Sequence, residues 1–555
     1  MKKAGRYVLS LLTISFVATI AHAQITRSLV EVPDHDTSRL DSISSFLGAQ
    51  LDRRSLPEFK NEWFCFNHTP DMYGECGKYR KLGFLPHKTS RDMENVPVGI
   101  GFETLDRDTF DPLVTFDYLC EAGVKYARCQ SGWWKCERVP GKYDFSWLDQ
   151  VVDGLSERSI QTWLSLGFGH PEYCPCELFE QQWKEAEEKG TVVPGWGRGW
   201  VGEAPLYHGE RAMKAWLKYV RALSKHFKGR VEIFEIWNEP EAFWRYKGER
   251  AGILYGDVQA SRDFAQFVKA TAAEIRKVIP SARITINLAE LSSVWMTTLS
   301  REGIADVIDF YNYHVYWRTP EEGVQKAFNQ ARALLKRSDG NPMPIWQGES
   351  GRSTGKSRLF GFPTEYAQAK YIARRITYDI GIGCEVSSQF TVADFLSYYP
   401  DGSDQYYGIW NTRENKPKLG WYALQSMCYL MEDARPAPQY WFHFTSPQSY
   451  KTFTPLSSYM NVEVMQFSRR GVPMVAFWQK EHIDISPAPL PGMMEFVTDA
   501  PSLLPHPVVI DPVRGEVWDV SDALGYHRRG IQTLSLWAYD YPLFLTDLSF
   551  FSDGS

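Results

Sequence analysis

The feature that most restricts the fold of this chain is a regular alternation of short apolar runs with helical segments, from Val96 to Met431. Alternating strands and helices are typical of a parallel sheet, and eight such units in one series fit a closed barrel. We therefore predict an α/β fold, a (β/α)8 TIM barrel, over residues 96–432. The predicted strands are Val98–Phe102, Val124–Cys129, Ile160–Gly167, Val231–Asn238, Ile284–Asn287, Val307–Val315, Pro344–Gly348 and Cys384–Phe390.

The helices between these strands are predicted from periodicity. In Ser261–Ile279, apolar residues recur three and four positions apart, which indicates a helix that packs on one side. Further helices are expected at Asp111–Ala122, Phe145–Leu155 and Glu210–Phe227, and the last at Leu419–Met431. The structural alternative is a doubly wound open sheet, but no Gly-rich phosphate-binding loop follows the first strand.

Helical periodicity ends after Asp433. Short strand-like runs separated by Gly, Pro and Asp predict an accessory β-sandwich domain over residues 433–555. Residues 24–95 are irregular, and we expect them to pack on the accessory domain or on the barrel.

The first 23 residues have the pattern of a signal peptide. Lys2, Lys3 and Arg6 precede an apolar run, and Ala21-His22-Ala23 forms a small-x-small cleavage site. The run is shorter than the ~20 residues that span a bilayer. We expect export to the periplasm or the extracellular space, with no membrane insertion of the mature chain.

Charge and cysteine content exclude some classes of function. The net charge of −6 does not predict a basic nucleic-acid-binding stripe. Cys174-x-Cys176 lacks a partner pair at zinc spacing, so no metal site or cofactor is predicted. Among the nine cysteines, Cys65 and Cys76 could close a local loop. Cys136, Cys174 and Cys176 lie in loops that could meet, and the other four are expected to be buried thiols.

Two of the predicted strands end in a carboxylate. Glu239 follows the fourth strand directly before Pro240, which cannot extend a sheet, and Glu349 ends the seventh. Active sites of such barrels lie at the carboxyl ends of the strands, so the two glutamates can face each other across the mouth. A pair of opposed carboxyls, one protonated and one ionised, is what glycoside hydrolysis requires.

The motifs around these glutamates resemble those of clan A glycoside hydrolases. Asn238-Glu239-Pro240 is similar to the clan's acid/base motif, and Trp346-Gln-Gly-Glu349 to its nucleophile motif. Ile236–Pro240 and His314-Val-Tyr316 are most like family 39 and its relatives, and Lys416–Gln425 is similar to the end of their barrel. The resemblance covers about residues 96–430. It implies a retaining enzyme for β-glycosidic bonds, with Glu349 as nucleophile and Glu239 as acid/base.

The resemblance also implies roles for neighbouring residues. Asn238 would bind the sugar 2-hydroxyl, and Tyr316 would hydrogen-bond the nucleophile. His314 would contact the substrate or Glu239, the alternative being a core histidine. Arg128, which closes the second strand, is either a partner of the nucleophile or a structural ion pair.

Further substrate contacts are predicted in the rim loops. His170 follows the third strand and could bind a hydroxyl, and Trp134 and Trp244 could stack on sugar rings, as could Trp133, Trp196, Trp200 and Tyr246. The alternative for the aromatic residues is that they pack the loops. At the eighth strand, where many clan members have Trp, Gln389 or Phe390 takes that place.

Two alternatives concern the ligand and the class of protein. Basic residues in the rim indicate solvated loops or, alternatively, an acidic or sulfated glycan; they are Arg245, Lys247, Arg352, Lys356 and Arg358. A non-catalytic carbohydrate-binding protein on a degenerate barrel would keep the aromatics but lose a glutamate, and both glutamates are present. The predicted partner is therefore a carbohydrate substrate, and the sequence does not indicate an oligomeric state.

Overall fold

A computed structural model gives the structure of the protein. It describes residues 79–244, 256–289, 293–317, 319–355, 364–438, 441–445, 462–480, 483, 490–497, 503–527 and 531–554. The predicted signal peptide, Cys65 and Cys76 therefore lie outside the described residues, as does most of the irregular N-terminal segment.

Eight parallel strands form a closed barrel, as predicted. The first and eighth strands pair directly, with Val98 opposite Ser387, which closes the ring. In order along the chain, the first to eighth barrel strands are Val98–Gly101, Tyr126–Gln130, Gln161–Leu166, Ile233–Ile236, Arg283–Leu288, Phe310–His314, Ile345–Ser350 and Ser387–Gln389.

The α-helices lie between the strands, and the longer ones cover the barrel with an apolar face. In Val258–Val278 the stripe that includes Phe264, Val268 and Ile275 is buried, and the Asp257 carboxylate caps the helix by accepting from the Ala260 N–H at 3.0 Å. The α-helices are Phe116–Ala122, Trp133–Cys136, Ser146–Ser156, Glu177–Lys189, Gly195–Arg198, Gly209–His226, Pro240–Phe243, Val258–Val278, Ser293–Arg301, Val324–Leu334, Glu365–Ile382 and Leu419–Met431.

The first predicted helix is interrupted. Residues 112–114 form a single 3-10 turn, and the α-helix begins only at Phe116. The Asp111 carboxylate accepts from the Leu113 N–H at 3.0 Å, and the Thr115 hydroxyl donates back to the Pro112 carbonyl at 2.8 Å. Such local side-chain bonds compete with the helical ladder, and periodicity does not reveal them.

The accessory domain consists of two antiparallel sheets that pack against each other, with Phe444 and Phe477 stacked at 5.8 Å between ring centroids. The fold class predicted from the sequence, a TIM barrel with an accessory β-sandwich, is thus confirmed. The larger sheet contains, in spatial order, Arg80–Phe84, Glu516–Asp519, Pro507–Asp511, Leu543–Asp547, Val472–Gln479, Val462–Arg469 and Ala434–Pro436. The smaller contains Phe442–Thr445, Leu490–Val497, Ile531–Ala538 and Leu524–His527, and a separate ribbon pairs Trp410–Asn411 with Lys416–Pro417.

The helix Glu365–Ile382 joins the barrel to the accessory domain and is buried on all sides from Tyr366 to Ile380. Its charged residues are therefore paired. Arg374 forms an ion pair with Glu321 at 2.6 Å, and the Trp478 indole of the accessory domain donates to the same carboxylate at 2.7 Å. None of the helices in the described part of the chain is long and apolar enough to cross a membrane.

Candidate active site

Glu239 lies just beyond the fourth barrel strand in a left-handed backbone conformation, with φ of 43°. Its N–H donates to the Asn287 side chain at 2.7 Å, and its carbonyl accepts from the N–H groups of Ala242 and Phe243, each at 2.8 Å. A non-glycine residue in this conformation is strained and persists only where its surroundings hold it. Asn287 and the turn that begins at Pro240 supply that support.

Glu349 lies near the end of the seventh strand, directly after a β-bulge. Tyr313 pairs with Gln347 but His314 pairs with Glu349, so Gly348 is the extra residue. A Cβ atom at Gly348 would lie 2.2 Å from the Asn312 side-chain oxygen, so any other residue there would have to displace the Asn312 side chain. Bulges redirect the following side chain, and this one turns Glu349 towards Glu239.

The two carboxylates meet across the mouth of the barrel, with His314 beside them. One oxygen of Glu239, one of Glu349 and a ring nitrogen of His314 all lie within 4.8 Å of one another. His314 Nδ1 is 2.8 Å from Glu239 Oε1 and 3.5 Å from Glu349 Oε2. The sequence prediction placed these three residues together, and the structure does so.

Arg128 lies beneath the carboxylates, wholly buried inside the barrel. One of its terminal nitrogens donates to Glu349 Oε2 at 2.9 Å and to Glu103 Oε1 at 2.6 Å. The other donates to Asn238 Oδ1 at 2.7 Å and to Glu235. Arg128 thus contacts Glu349, which the sequence predicts as nucleophile, and also pairs with Glu103 and Glu235, so the two predicted arrangements occur together. It holds protein carboxylates, and its burial keeps it from contacting a sugar.

The surroundings of the two glutamates determine which of them carries the proton that the pair shares. Burial raises the pKa of Glu239 to about 7, and burial together with the charge of Glu239 raises the pKa of Glu349 to about 7. Glu349 accepts from Arg128 at 2.9 Å and from the Tyr316 hydroxyl at 2.6 Å, and both bonds favour its ionised form. The proton of the pair therefore belongs on Glu239.

His314 is neutral, because burial and the charge of Arg128 hold its pKa well below the usual range. Its Nε2 has no hydrogen-bond partner among the described residues, whereas Nδ1 faces Glu239. The ring proton therefore belongs on Nδ1, which donates to Glu239 Oε1 and leaves Oε2 to carry the acidic proton.

A cavity of about 910 Å³ opens above these residues. Asn238, Glu239, Tyr316 and Glu349 line it, and aromatic residues form much of the wall. Two rings at the rim are well exposed, Trp317 at 44% and Tyr399 at 40%. The other aromatic residues of the wall are Phe168, Phe243, Phe390, Tyr398 and Tyr407.

Four predicted substrate contacts lie elsewhere. His170 is a satisfied core histidine, with Nε2 2.7 Å from the Glu137 carbonyl and Nδ1 accepting from the Glu172 N–H at 3.1 Å. Gln389 is buried and donates to the neighbouring carbonyl of Phe390 at 2.7 Å. Of the two residues predicted in the place of the clan's strand-eight tryptophan, Phe390 lines the cavity and Gln389 does not.

The two predicted stacking tryptophans pack the loops instead. Trp244 is wholly buried, and its indole donates to the Tyr207 hydroxyl at 2.8 Å. Trp134 packs on Trp183 at 4.8 Å between centroids, and the Arg138 guanidinium covers its ring at 4.0 Å. In each case another part of the fold occupies the face that a sugar would need.

The remaining rim predictions divide between buried and undescribed residues. Trp133, Trp200 and Arg352 are buried and do not line the cavity. The other basic rim residues and Tyr246, like the Trp196 side chain, lie outside the described part of the molecule. Cys136, Cys174 and Cys176 are free buried thiols and form no disulfide with one another. The other four thiols were predicted to be buried and are so: Cys120, Cys129, Cys384 and Cys428.

Sequence reasoning missed a polar group on the other side of Glu349. Glu103 follows the first strand, lines the cavity and shares Arg128 with Glu349. Arg107 and Gln130 lie beside it. Glu103 directly follows the first predicted strand, so the search for strands that end in a carboxylate could have found it. Arg107 belongs to a loop and carried no comparable signal.

The cluster of Glu239, His314 and Glu349 has the donor types and spacing of a divalent-cation site. The guanidinium of Arg128, at 2.9 Å from Glu349, already supplies positive charge at this point and would repel a cation. The raised pKa values of both carboxyls suit proton transfer, which needs one protonated and one ionised group.

Comparisons with known proteins agree on one class. The family described as Beta-galactosidase (Glyco_hydro_42) matches residues 109–242, a stretch that includes Glu239. Beta-galactosidase BbgII of Bifidobacterium bifidum is 34% identical over 110 residues, which are 19% of this chain and 15% of that protein. The match thus spans a small part of the relative's length.

Among solved structures, a family 39 glycoside hydrolase from the gut symbiont Bacteroides cellulosilyticus WH2 has a TM-score of 0.56 at 16% identity, covering 83% of each chain. The GH39 enzyme from Xanthomonas axonopodis pv. citri has a TM-score of 0.48 at 16% identity, over 86% of this chain and 99% of that one. The first of these likenesses shows the shared fold. The resemblance to clan A glycoside hydrolases is therefore confirmed, and the fold is shared with a family 39 enzyme.

Proposed function

We propose that this protein is a retaining glycoside hydrolase that cleaves β-glycosidic bonds of oligo- or polysaccharides by double displacement. The observation that carries the proposal is the approach of the Glu239 and Glu349 carboxylates to within 4.8 Å at the floor of the cavity. Retaining enzymes hold their carboxyls about 5–5.5 Å apart, whereas inverting enzymes need about 6.5–9.5 Å to admit a water molecule.

The hydrogen bonds around the pair assign the roles. Glu349, ionised by Arg128 and Tyr316, attacks the anomeric carbon. Glu239 gives its proton to the glycosidic oxygen as that bond breaks, and the leaving sugar departs as an alcohol. Glu239, now a carboxylate, takes a proton from water, whose oxygen attacks the anomeric carbon and releases Glu349. Both glutamates return to their starting states.

Asn238 is placed to bind the sugar beside the reacting carbon. Its Oδ1 accepts from Arg128 at 2.7 Å, which turns its amide nitrogen, a donor without a described partner, towards the cavity that it lines. We assign this donor to the 2-hydroxyl. The exposed faces of Trp317 and Tyr399 supply flat apolar surface on which sugar rings can stack.

The test compares wild type with Glu349→Ala in reducing-sugar release from a broad panel of β-linked oligosaccharides and polysaccharides. Wild type should release sugar, and Glu349→Ala should be inactive. On an activated aryl β-glycoside, azide should restore turnover of Glu349→Ala and give the α-glycosyl azide, because azide fits the space that the carboxylate leaves. Glu349→Gln fills that space and is the matched control that azide should not rescue. Normal activity of Glu349→Ala would refute the assignment.

We also propose that the protein is exported, on the basis of its N-terminal 23 residues. Mass spectrometry of the protein from the periplasm or the medium should find a new N-terminus at Gln24. An intact N-terminus on protein confined to the cytoplasm would contradict this.

A further inference from the structure

One end of the cavity presents hydrogen-bond donors that no described residue uses. Arg107 is buried and lines the cavity. Its Nε donates to Asp106 at 3.4 Å and its Nη2 donates to the Gln130 side chain. No described residue hydrogen-bonds its Nη1, which leaves that nitrogen for the cavity.

The neighbours of Arg107 add donors of the same kind. Gln130 Oε1 accepts from Arg107 and, at 3.4 Å, from the Thr104 N–H, so its amide nitrogen must point the other way. The Tyr398 ring also lines the cavity near the guanidinium, and its hydroxyl has no described partner. We call Arg107, Gln130 and Tyr398 the donor corner.

The charge of the donor corner favours an anion. Guanidinium and amide nitrogens only donate, so a ligand group that only accepts satisfies them best. Glu103 weakens this preference little, because burial raises its pKa to about 8. Asp106 pairs with Nε of Arg107 and leaves the Nη1 edge of the guanidinium to the cavity. A protonated Glu103 is itself a donor.

The position of the donor corner fixes which part of the substrate reaches it. Glu239, which protonates the leaving group, and His314 lie on one side of Glu349. Glu103 follows the first strand, which only the eighth separates from the strand of Glu349, so it lies round the barrel in the opposite direction from Glu239. Arg128 joins Glu103 to Glu349, and the donor corner lines the same cavity. The leaving group therefore occupies the Glu239 side, and the donor corner faces the glycone.

We propose that the donor corner binds an anionic substituent of the glycone, a uronic acid carboxylate or a sulfate ester, so that this enzyme prefers acidic β-glycosides. This rests on the proposed function for the direction of the substrate. It assigns the specificity to Arg107, a residue outside the basic rim loops that the sequence indicated.

The test uses matched pairs of 4-nitrophenyl β-glycosides: glucuronide with glucoside, galacturonide with galactoside, and each hexoside with its 6-sulfate. In at least one pair, wild type should favour the anionic member in kcat/KM by about ten- to a hundredfold, the usual range for one charge-assisted hydrogen bond. Uronides and sulfates are compared separately, which identifies the anion.

Arg107→Gln should abolish this preference, and Arg107→Lys, which keeps the charge, should retain part of it. Arg198→Gln is the matched control, because Arg198 donates to the Arg107 and Asp108 carbonyls but does not line the cavity. It should keep the wild-type ratio. If Arg107→Gln does not fold, Tyr398→Phe, which removes a single donor, should lower the ratio by a smaller factor.

A second readout does not depend on turnover. Glucuronate or galacturonate should raise the Tm of wild type more than glucose or galactose at equal ionic strength, and Arg107→Gln should lose the difference. That result without hydrolysis of any substrate would support the donor corner and refute the hydrolase. A preference for the neutral member of every pair would overturn the proposal and leave the hydrolase standing. Equal losses of kcat/KM on the anionic and the neutral member of a pair in Arg107→Gln would also overturn the proposal. If no substrate is hydrolysed, equal Tm shifts by acidic and neutral sugars would overturn it.

Discussion

Tyr316→Phe tests the hydrogen bond that favours the ionised form of Glu349, the proposed nucleophile. The Tyr316 hydroxyl donates to Glu349 Oε1 at 2.6 Å, and the variant removes only that oxygen. A hydrogen bond to a charged group contributes about 1.5–3 kcal/mol. At 1.36 kcal/mol per pKa unit, the loss should raise the pKa of Glu349 by about one to two units.

The sign of the effect on the pH profile follows from the role of each glutamate. Activity requires ionised Glu349 together with protonated Glu239. Both carboxyls have a pKa of about 7, so a rise of about one to two units at Glu349 moves the proton of the pair from Glu239 to Glu349. The fraction of enzyme in the active protonation state should therefore fall, which lowers the maximum of kcat/KM by about ten- to a hundredfold and moves the alkaline limb to higher pH.

The assay is the pH dependence of kcat/KM on an activated aryl glycoside. Tyr407→Phe is the matched control, because its ring packs against Tyr316 at 5.8 Å between centroids, yet its hydroxyl donates to no described carboxylate. Its maximum of kcat/KM and its alkaline limb should stay at the wild-type values. An unchanged maximum and an unmoved alkaline limb in Tyr316→Phe would refute the reasoning about Glu349.

Three further predictions concern the acid, the tryptophans and the domain junction. Glu239→Gln should lower kcat about 10²–10⁴-fold on substrates with poor leaving groups and far less on activated aryl glycosides; equal losses on both, measured by steady-state kinetics, would count against its role as acid. Trp244→Ala should lower the free energy of unfolding, measured in denaturant titrations, by about 3–5 kcal/mol. Trp317 has a ring that is 44% exposed, so Trp317→Ala should leave the free energy of unfolding nearly unchanged and raise KM for oligosaccharides. The reverse pattern would show that the two rings are misassigned. Glu321→Gln removes the buried negative charge that pairs with Arg374 and should destabilise the fold by about 3–5 kcal/mol, so an unchanged thermal unfolding curve would contradict that account of the junction.

The sequence predicts the parts of the fold that depend on local pattern. Barrel strands and packed helices have strong periodicities, and the helix Leu419–Met431 was predicted to the residue. The interruption before Phe116 was not predicted, because it depends on hydrogen bonds of the Asp111 and Thr115 side chains. The pairing of Arg80–Phe84 with Glu516–Asp519 joins segments more than 430 residues apart, and no local pattern specifies such a contact.

The candidate site divides in the same way. Glu239 and Glu349 could be found because a parallel barrel brings every strand end to one face. The sequence could not predict which aromatic rings are exposed to solvent, because the exposure of Trp244 and Trp317 depends on tertiary packing. Both residues follow a barrel strand in the sequence, yet one packs under its loop and the other opens to the cavity.

The central claim is that Glu349 attacks the sugar and the configuration is retained. Proton NMR of the first sugar released from an aryl β-glycoside, recorded before mutarotation, tests this most directly. The separation of Glu239 and Glu349, within 4.8 Å, predicts that the β-anomer appears first and equilibrates later. Initial appearance of the α-anomer would show inversion and contradict the double-displacement mechanism.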